Sequence, residues 1–448
     1  MAAGNVSYFE PAGPDELIVS SSIEIHPVTA PLNATIRPSG SKSLTNRALV
    51  CAALASGTSV LRGALESDDT QVMIQSLGAL GIAIKHDPAA QTMAVAGCGG
   101  KIPATSANLY IANSGTTVRF LTAVAALGHG RFRLHGTPRM HERPIKDLLD
   151  TLAQLGIDVR SEAATGCPPV VVRANGLRMS KATIRSGVSS QFLSALMLAA
   201  PCTLGPADRP MITIEIAGPL VSKPYVEMTA AVMRAFGAQV THDADCKAFE
   251  ISRSGYRAQD YAIEPDASAA SYFWAAAAIT HGRVRVDGIS AQSTQGDVAF
   301  CQCLKRMGCS VLYEPTGIAI EGGPLVGIDV DMNAISDTVQ TLAVVALFAE
   351  GPTTIRGVAH IRHKETDRIA ALVRELRKLG AQVDEQVDGL RIVPKRLHGA
   401  TIDTYDDHRM AMSMSLAGLK IPGVVINDPQ CTAKTYPRFF DDLDGLRS

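Results

Sequence analysis

The stretch Arg37-Pro-Ser-Gly-Ser-Lys42-Ser43-Leu-Thr-Asn-Arg47 places hydroxyls, an amine and a guanidinium at the entrance of an otherwise apolar run that continues through Leu54 to Gly57. Residues four apart share a helix face, so Ser43 and Arg47 point together, with Lys42 beside them on the first turn. Backbone N–H groups of a first turn lack intrahelical partners, and the positive end of the helix dipole adds to the cations. Such a place binds anions. It is not a nucleotide loop, because Ser41 rather than Gly precedes Lys42 and the four-residue spacer after an earlier Gly is absent. A capping turn on a solvated surface uses the same residue types, so this stretch alone leaves both readings open.

The whole chain narrows the choice. Its 448 residues fit two or three domains, and 46% apolar against 19% charged residues supply large cores. With 42 basic and 43 acidic residues the net charge is -1, which gives no global field for nucleic acid or an anionic membrane. Any anion must be caught by a local cluster. Nine cysteines, an odd number without a CxxC pair, point to a reducing compartment and to thiols used as small buried residues. No His/Cys set at zinc spacing completes Cys301, Cys303 and Cys309, so no metal is expected. The first residues, MAAGNVSYFEPAGPDELIVSSS, lack a basic and then apolar leader, and no apolar run approaches a membrane span. A cytoplasmic protein is expected.

The elements that would position the polar residues recur at roughly 70 to 80 residues. A helical run ending in Gly and followed by a short strand is found at Gly81, Gly156, Gly237, Gly308 and Gly380, each placed as a helix C-cap. Offset from it runs a second series of alanine- and leucine-rich helices, whose closing strands are Ser59–Gly63, Arg131–Gly136, Ile212–Gly218, Arg283–Gly288, Thr353–Gly357 and Gly423–Asp428. Six units result, and the N-terminal strands Ile23–His26 and Ala34–Arg37 are available to complete the sixth. Helices of the second series, near Trp274 and Val344, are apolar nearly all round and belong inside, covered by strands. Six is most simply three plus three. The expected organisation is one lobe of residues 1–40 plus 262–448, another of 41–261, and a cleft between them next to the opening stretch.

Polar residues fall on the turns that enter these helices: Lys42, Ser43 and Arg47; Asn113 to Arg119; Ser189, Ser190 and Gln191; Asp266; Asp337; Asp407 to Arg409; and, in the first series, Arg139 to Pro144, Ser222 to Tyr225, Lys364 to Arg368 and Lys434 to Pro437. Pro144, Pro224 and Pro437 each read as the first residue of a helix. If both lobes turn these starts toward one cleft, about nine cations and several dipole ends converge there, and the ligand carries more than one anionic group. Asp337 and Glu365, standing among the cations, either balance charge or move protons.

Ten stretches in order, PSGSKSLTNRAL, NSGTTVRFLTA, GTPRMHERPI, SGVSSQFLSAL, GPLVSKPYVEMT, EPDASAASYF, ISDTVQTLAVVALFA, RHKETDRI, YDDHRMAMS and DPQCTAKTYP, resemble the 5-enolpyruvylshikimate-3-phosphate synthase family over almost the whole chain from about Ile23. The resemblance implies an α/β, two-lobed enolpyruvyl transferase fold of six βαβαββ repeats, three per lobe, with buried helices and outward-facing sheets. It implies transfer of the enolpyruvyl group of phosphoenolpyruvate to the 5-hydroxyl of shikimate 3-phosphate by addition and elimination, in the shikimate pathway, without metal or organic cofactor. Residue by residue it implies Lys42, Ser43, Arg47, Ser189, Ser190, Gln191, Ser222, Tyr225, Asp337 and Lys364 around shikimate 3-phosphate. Around phosphoenolpyruvate it implies Lys42, Asn113, Gly115, Arg139, Gln191, Arg368, Arg409 and Lys434. Asp337 matches the base on the attacking hydroxyl, and Glu365 and Lys42 match the groups that exchange protons at the methylene carbon and leaving phosphate.

Two positions depart from the family pattern. His360 stands where some members carry Asn, and Phe120 replaces a common Pro. Gly115 keeps the small residue of glyphosate-sensitive members, so competition by glyphosate against phosphoenolpyruvate is expected. A monomer acting on small molecules, with no nucleic acid or membrane partner, is the expected form. The rivals are a UDP-N-acetylglucosamine enolpyruvyl transferase, whose loop typically carries a Cys that Thr137 to Arg143 lacks, and a non-catalytic anion-binding protein on the same scaffold.

Overall fold

The computed structural model describes residues 22–206 and 208–447. The reading of the first residues as lacking a leader therefore lies almost wholly outside the described residues. Six small sheets carry the strands of the described residues; five repeat one local pattern, and the sixth keeps only its first three strands. A short strand runs parallel to a second, which pairs antiparallel with a hairpin: Ser106–Tyr110 lies beside His129–His135, which meets Val170–Asn175 and then Asp158–Ser161. Lys181–Ser186, Met211–Leu220, Ala248–Ser252 and Val240–His242 repeat it, as do Asp329–Asp331, Thr353–Arg356, Gly389–Val393 and Gln382–Gln386.

The N-terminal strands divide between two sheets, which corrects the expectation that both complete the sixth unit. Ser22–Ile25 does so, pairing antiparallel with Val424–Asn427. Asn33–Ile36 instead lies parallel to Arg283–Asp287 in the fourth unit. The cause is the chain crossing: the parallel partner that the fourth unit needs is supplied from before residue 41, just as Asp260–Ala262 supplies the partner of Ala55–Arg62 in the first. The two crossings touch, since the Ser41 N–H donates to the Glu264 carbonyl at 2.8 Å and Gly40 bridges Pro265.

Buried apolar residues form two separate clusters. One runs from Leu44 to Ile263, the other joins Ile25 and Leu32 to residues between Ala267 and Leu446. At their centres lie the alanine- and leucine-rich helices Lys42–Leu54, Gly115–Ala125, Ser190–Ala199, Ala267–Thr280, Val339–Val345 and His408–Ser415. Every residue of Ala267–Thr280 is buried, as its all-round apolar sequence requires. Cys301, Cys303, Cys309 and Cys431 fill the second core as small apolar groups, and burial pushes the Cys303 thiol up to about 11.

Short polar side chains fix where these inner helices begin. Ser41, Ser114, Ser189, Asp266 and Asp407 each accept a first-turn N–H, at 2.9 to 3.4 Å. The outer helices end as the repeat predicts, Gly81 and Gly380 taking φ of +88° and +96° just past Asp68–Ala79 and Arg368–Lys378. Of the three prolines expected to open helices, only Pro224 does so, in Lys223–Ala235. Pro144 and Pro437 precede Lys146–Gln154 and Phe439–Asp444 by a further residue, so they end the incoming turn instead.

Candidate active site

Four inner helices and the turn entering a fifth open on one cavity. Lys42 and Ser43, Gly115 and Thr116, Ser190 and Gln191, and His408 and Arg409 line it from the first turns of their helices, with the cap Ser189. Asp337 joins them from the 3-10 turn Asn333–Thr338 ahead of Val339, rather than as a helix cap. Ser222 and Tyr225 come from the entrance of an outer helix, and Lys364, Glu365 and Arg368 from that of another. The lining therefore draws on both cores, and six of its side chains are Lys or Arg: Lys42, Arg47, Arg143, Lys364, Arg368 and Arg409.

The two carboxylates are held differently. Asp337 takes Arg409 Nη2 at 2.8 Å, Arg368 Nη1 at 3.2 Å, Lys364 Nζ at 3.4 Å and the Tyr225 hydroxyl at 3.1 Å. Burial alone would push its pKa up; the charges of Arg409, Lys364, Arg368 and Lys42 outweigh that and hold it well below the usual range. Glu365 takes Arg368 Nη2 at 2.9 Å and lies 3.7 Å from both Arg143 and Lys434. Burial again opposes ionisation, and Arg143, Arg368 and Lys434 overcome it. Arg368 is itself clamped by Asp407, whose two oxygens accept from Nε at 2.7 Å and Nη2 at 3.2 Å. Burial lowers the Lys364 and Lys434 ammonium pKa values, with the nearby carboxylates only partly restoring them.

The residues expected around shikimate 3-phosphate lie together on the cavity wall. Arg47 is fixed by Nε to Thr229 Oγ1 at 2.7 Å and Nη1 to the Ser43 carbonyl at 2.9 Å. Phe120, one of the departures from the family pattern, lies under its guanidinium at 5.3 Å, so the aromatic ring packs the arginine from behind. Ser222 sits in the left-handed region, φ +52°, held by its N–H on Asn333 Oδ1 at 3.1 Å. Its hydroxyl is 3.3 Å from His360 Nε2 and from Ser336 Oγ, which places His360 on the wall as well.

Of the residues expected around phosphoenolpyruvate, Gly115, Gln191, Arg368, Arg409 and Lys42 line the cavity. Asn113 and Lys434 stand behind them, Lys434 Nζ donating to the Asn113 carbonyl at 2.8 Å. Arg139 is not on the lining of this cavity but stands at its edge, beside Lys364 and Glu365. Its guanidinium reaches the Lys364 and Glu365 carbonyls at 3.0 and 2.9 Å and Glu142 at 2.6 Å, and is a third exposed. Arg143 lines the cavity as well, 3% exposed, with Nη1 on the Asn113 carbonyl at 2.8 Å and on Asn113 Oδ1 at 3.1 Å. The tight turn Pro138–Glu142 sends the two arginines in different directions, and a stretch with two arginines four apart does not reveal which one faces inward. Thr116 and His408 were also missed as wall residues, although both stand inside stretches that carry the family resemblance.

The fold matches solved enolpyruvyl transferases. EPSP synthase from Acinetobacter baumannii superposes with a TM-score of 0.78 at 25% identity over 95% of this chain and 98% of that one. The enolpyruvyl transferase NikO from Streptomyces tendae shares the fold, with a TM-score of 0.75 at 21% identity. Within that class the chain belongs to the EPSP synthase (3-phosphoshikimate 1-carboxyvinyltransferase) family, whose model matches residues 27–443. It is 48% identical over 421 residues, 94% of this chain and 97% of the relative, to the 3-phosphoshikimate 1-carboxyvinyltransferase of Nostoc punctiforme. It is 46% identical over 446 residues, 95% of this chain and 85% of the relative, to the chloroplastic one of Arabidopsis thaliana.

Proposed function

We propose that this protein is a 3-phosphoshikimate 1-carboxyvinyltransferase of the shikimate pathway, moving the enolpyruvyl group of phosphoenolpyruvate onto the 5-hydroxyl of shikimate 3-phosphate and releasing phosphate. The observation that carries the reading is the meeting of six cationic side chains and several helix starts on a cavity that also holds two buried carboxylates. Two phosphates and a carboxylate are what such a surplus of positive charge binds, and electrostatic preorganisation is the main contribution to rate.

In this account Ser43, Arg47, Ser189, Ser190, Gln191, Ser222, Tyr225 and Lys364 hold shikimate 3-phosphate, while Lys42, Asn113, Gly115, Arg139, Gln191, Arg368, Arg409 and Lys434 hold phosphoenolpyruvate, with Arg143 beside Asn113 and Glu365. A proton delivered to the methylene carbon leaves positive charge on the neighbouring carbon. The 5-hydroxyl attacks there as Asp337 takes its proton, and the tetrahedral intermediate then expels phosphate as the methyl group returns a proton. Glu365 and Lys42 exchange the protons at carbon and at the departing phosphate. The cations Arg143, Arg368 and Lys434 hold Glu365 ionised; bound anions offset those charges and raise its pKa, so substrate itself prepares the acid.

The two cores act as lobes that close on the substrates and exclude water, one of residues 22–40 with 262–447 and one of the described residues of 41–261. Cross-cleft bonds such as Arg139 to the Lys364 carbonyl and Ser222 to Asn333 support that motion. Nine free cysteines support a cytoplasmic setting, and no helix among the described residues is long and apolar enough to cross a membrane. Glyphosate, which carries a phosphonate and a carboxylate, competes with phosphoenolpyruvate for the same cations. Mixing the protein with phosphoenolpyruvate and either shikimate 3-phosphate or UDP-N-acetylglucosamine, and following phosphate release, tests the reading. Release with the first acceptor only is expected; release with the UDP-sugar only, or with neither, contradicts it.

A further inference from the structure

Behind the cavity wall, Asp297 is 2% exposed and does not itself line the cavity. Its Oδ2 lies 3.0 Å from the Tyr225 hydroxyl, and the same hydroxyl lies 3.1 Å from Asp337 Oδ2. A phenol has one proton. It satisfies both carboxyl groups only if one of them carries a proton of its own and donates it to the phenol oxygen. Asp337, facing Arg409, Arg368 and Lys364, is the one held ionised. Asp297 has no ion pair: Ser268 Oγ donates to its Oδ2, and its Oδ1 finds no partner. The chain of donors then runs from Asp297 to Tyr225 and from Tyr225 to Asp337.

We propose that Asp297 is a positioning residue for the reaction, a neutral carboxylic acid that turns the Tyr225 proton toward Asp337 and so fixes the orientation of the base against shikimate 3-phosphate. The proposal rests on Asp337 acting on that substrate. Charged and titratable groups face Asp297 from each element around it: Asp266 at the start of Ala267–Thr280, Tyr225 from Lys223–Ala235, Asp337 from Asn333–Thr338 and Arg409 from His408–Ser415. Burial, then the Asp337 charge, pushes the Asp297 carboxyl up to about 6, against the pull of Ser268 and Arg409. Above that pH Asp297 ionises, two carboxylates compete for one phenol proton, and Asp337 must share the Tyr225 donor while keeping its contacts to Arg409, Arg368 and Lys364.

The test is the Asp297→Asn variant of the full chain, whose amide donates to Tyr225 as the acid does but does not ionise. KM for shikimate 3-phosphate is measured from pH 5 to pH 8 for wild type and variant, so that ionisation of the substrate phosphates cancels in the ratio. The two are expected to agree at low pH and to diverge through about 6, the variant having the lower KM at pH 8 by about three- to tenfold, a coupling of up to one pKa unit. On a Tyr225→Phe background the same substitution is expected to leave the ratio flat. Parallel pH profiles on the wild-type background, whatever the melting temperature of the variant, overturn the proposal. Should Asp297→Asn not fold, Tyr225→Phe alone must remove the same pH-dependent component of KM, and its persistence is equally contrary. No turnover in the wild type would overturn the assigned reaction, and this proposal with it. Turnover with parallel profiles removes only this proposal.

Discussion

Arg143 and Glu365 face each other across the cavity with charged atoms 3.7 Å apart, both nearly excluded from solvent, although they belong to different cores. Arg139, four residues earlier, spends its guanidinium on backbone carbonyls beside that same glutamate. The two arginines thus make different contacts, Arg143 on the cavity wall and Arg139 on backbone carbonyls across the cleft.

Replacing them separates these contacts. Arg143→Ala removes a buried cation from Glu365 and from the substrate anion, and is expected to lower kcat/KM for phosphoenolpyruvate by about 10²-fold or more. Arg139→Ala loses two hydrogen bonds to carbonyls and an ion pair with Glu142 at a partly exposed site and is expected to cost about tenfold or less, spread over both substrates. Steady-state kinetics with each substrate varied checks the order; an equal or reversed ranking contradicts the placement.

Gly115 is the tightest point of the wall. A methyl group there would stand 2.5 Å from Arg143 Nη2 and 2.8 Å from Arg119 Nη1, so both guanidinium groups must shift. Gly115→Ala is expected to raise KM for phosphoenolpyruvate about tenfold, a displacement cost of roughly 1 kcal/mol or slightly more, and to weaken glyphosate inhibition further. Competition kinetics on wild type and variant measure both. Unchanged inhibition in the variant contradicts a shared anion site beside this residue.

Lys42 contributes little to the fold through its side chain: its backbone N–H donates to Asp266 Oδ2 at 3.1 Å, while its ammonium makes no hydrogen bond or ion pair among the described residues. Lys42→Ala is expected to reduce kcat by about 10³-fold, within the range for loss of a positioned proton-transfer group and its charge, while the melting temperature stays within about 3 °C. Near-wild-type turnover in the folded variant would remove Lys42 from the chemistry.

His360 makes the protein acid-sensitive. Burial, followed by the charges of Lys364 and Arg368 and against that of Asp337, lowers its pKa from 6.5 to about 4. The folded state therefore prefers the neutral ring, and the stability present above the unfolded value of 6.5 declines as pH falls toward about 4. At pH 5 the loss is about 2 kcal/mol. His360→Asn is expected to show a smaller fall in melting temperature between pH 7 and pH 5 than wild type. An identical fall in the two proteins contradicts a neutral His360.

Much of this architecture is legible in the chain. The recurring Gly81 and Gly380 type of helix end requires a left-handed residue, and the alanine-rich run around Trp274 has no polar face to show to water, so helix ends and buried helices follow from local chemistry. Ser43, Arg47, Gln191, Asp337 and Lys364 reach one wall because each follows or precedes a helix start that the repeat places. Long-range features are less visible. Asn33–Ile36 pairs across the chain crossing rather than with its sequence neighbour, a choice set by which sheet lacks a strand. The direction of Arg139 against Arg143 depends on a single 3-10 turn. Asp297 carries no local signal at all, since its importance lies in a tyrosine 72 residues away.

The central claim is enolpyruvyl transfer by addition and elimination, and the most direct measurement follows the bridging oxygen of phosphoenolpyruvate. With heavy oxygen in that bridge and shikimate 3-phosphate as acceptor, the released phosphate is predicted to carry the label while the acceptor gains one enolpyruvyl unit, both read by mass spectrometry. Unlabelled phosphate, or label released with the acceptor unchanged, would contradict the account.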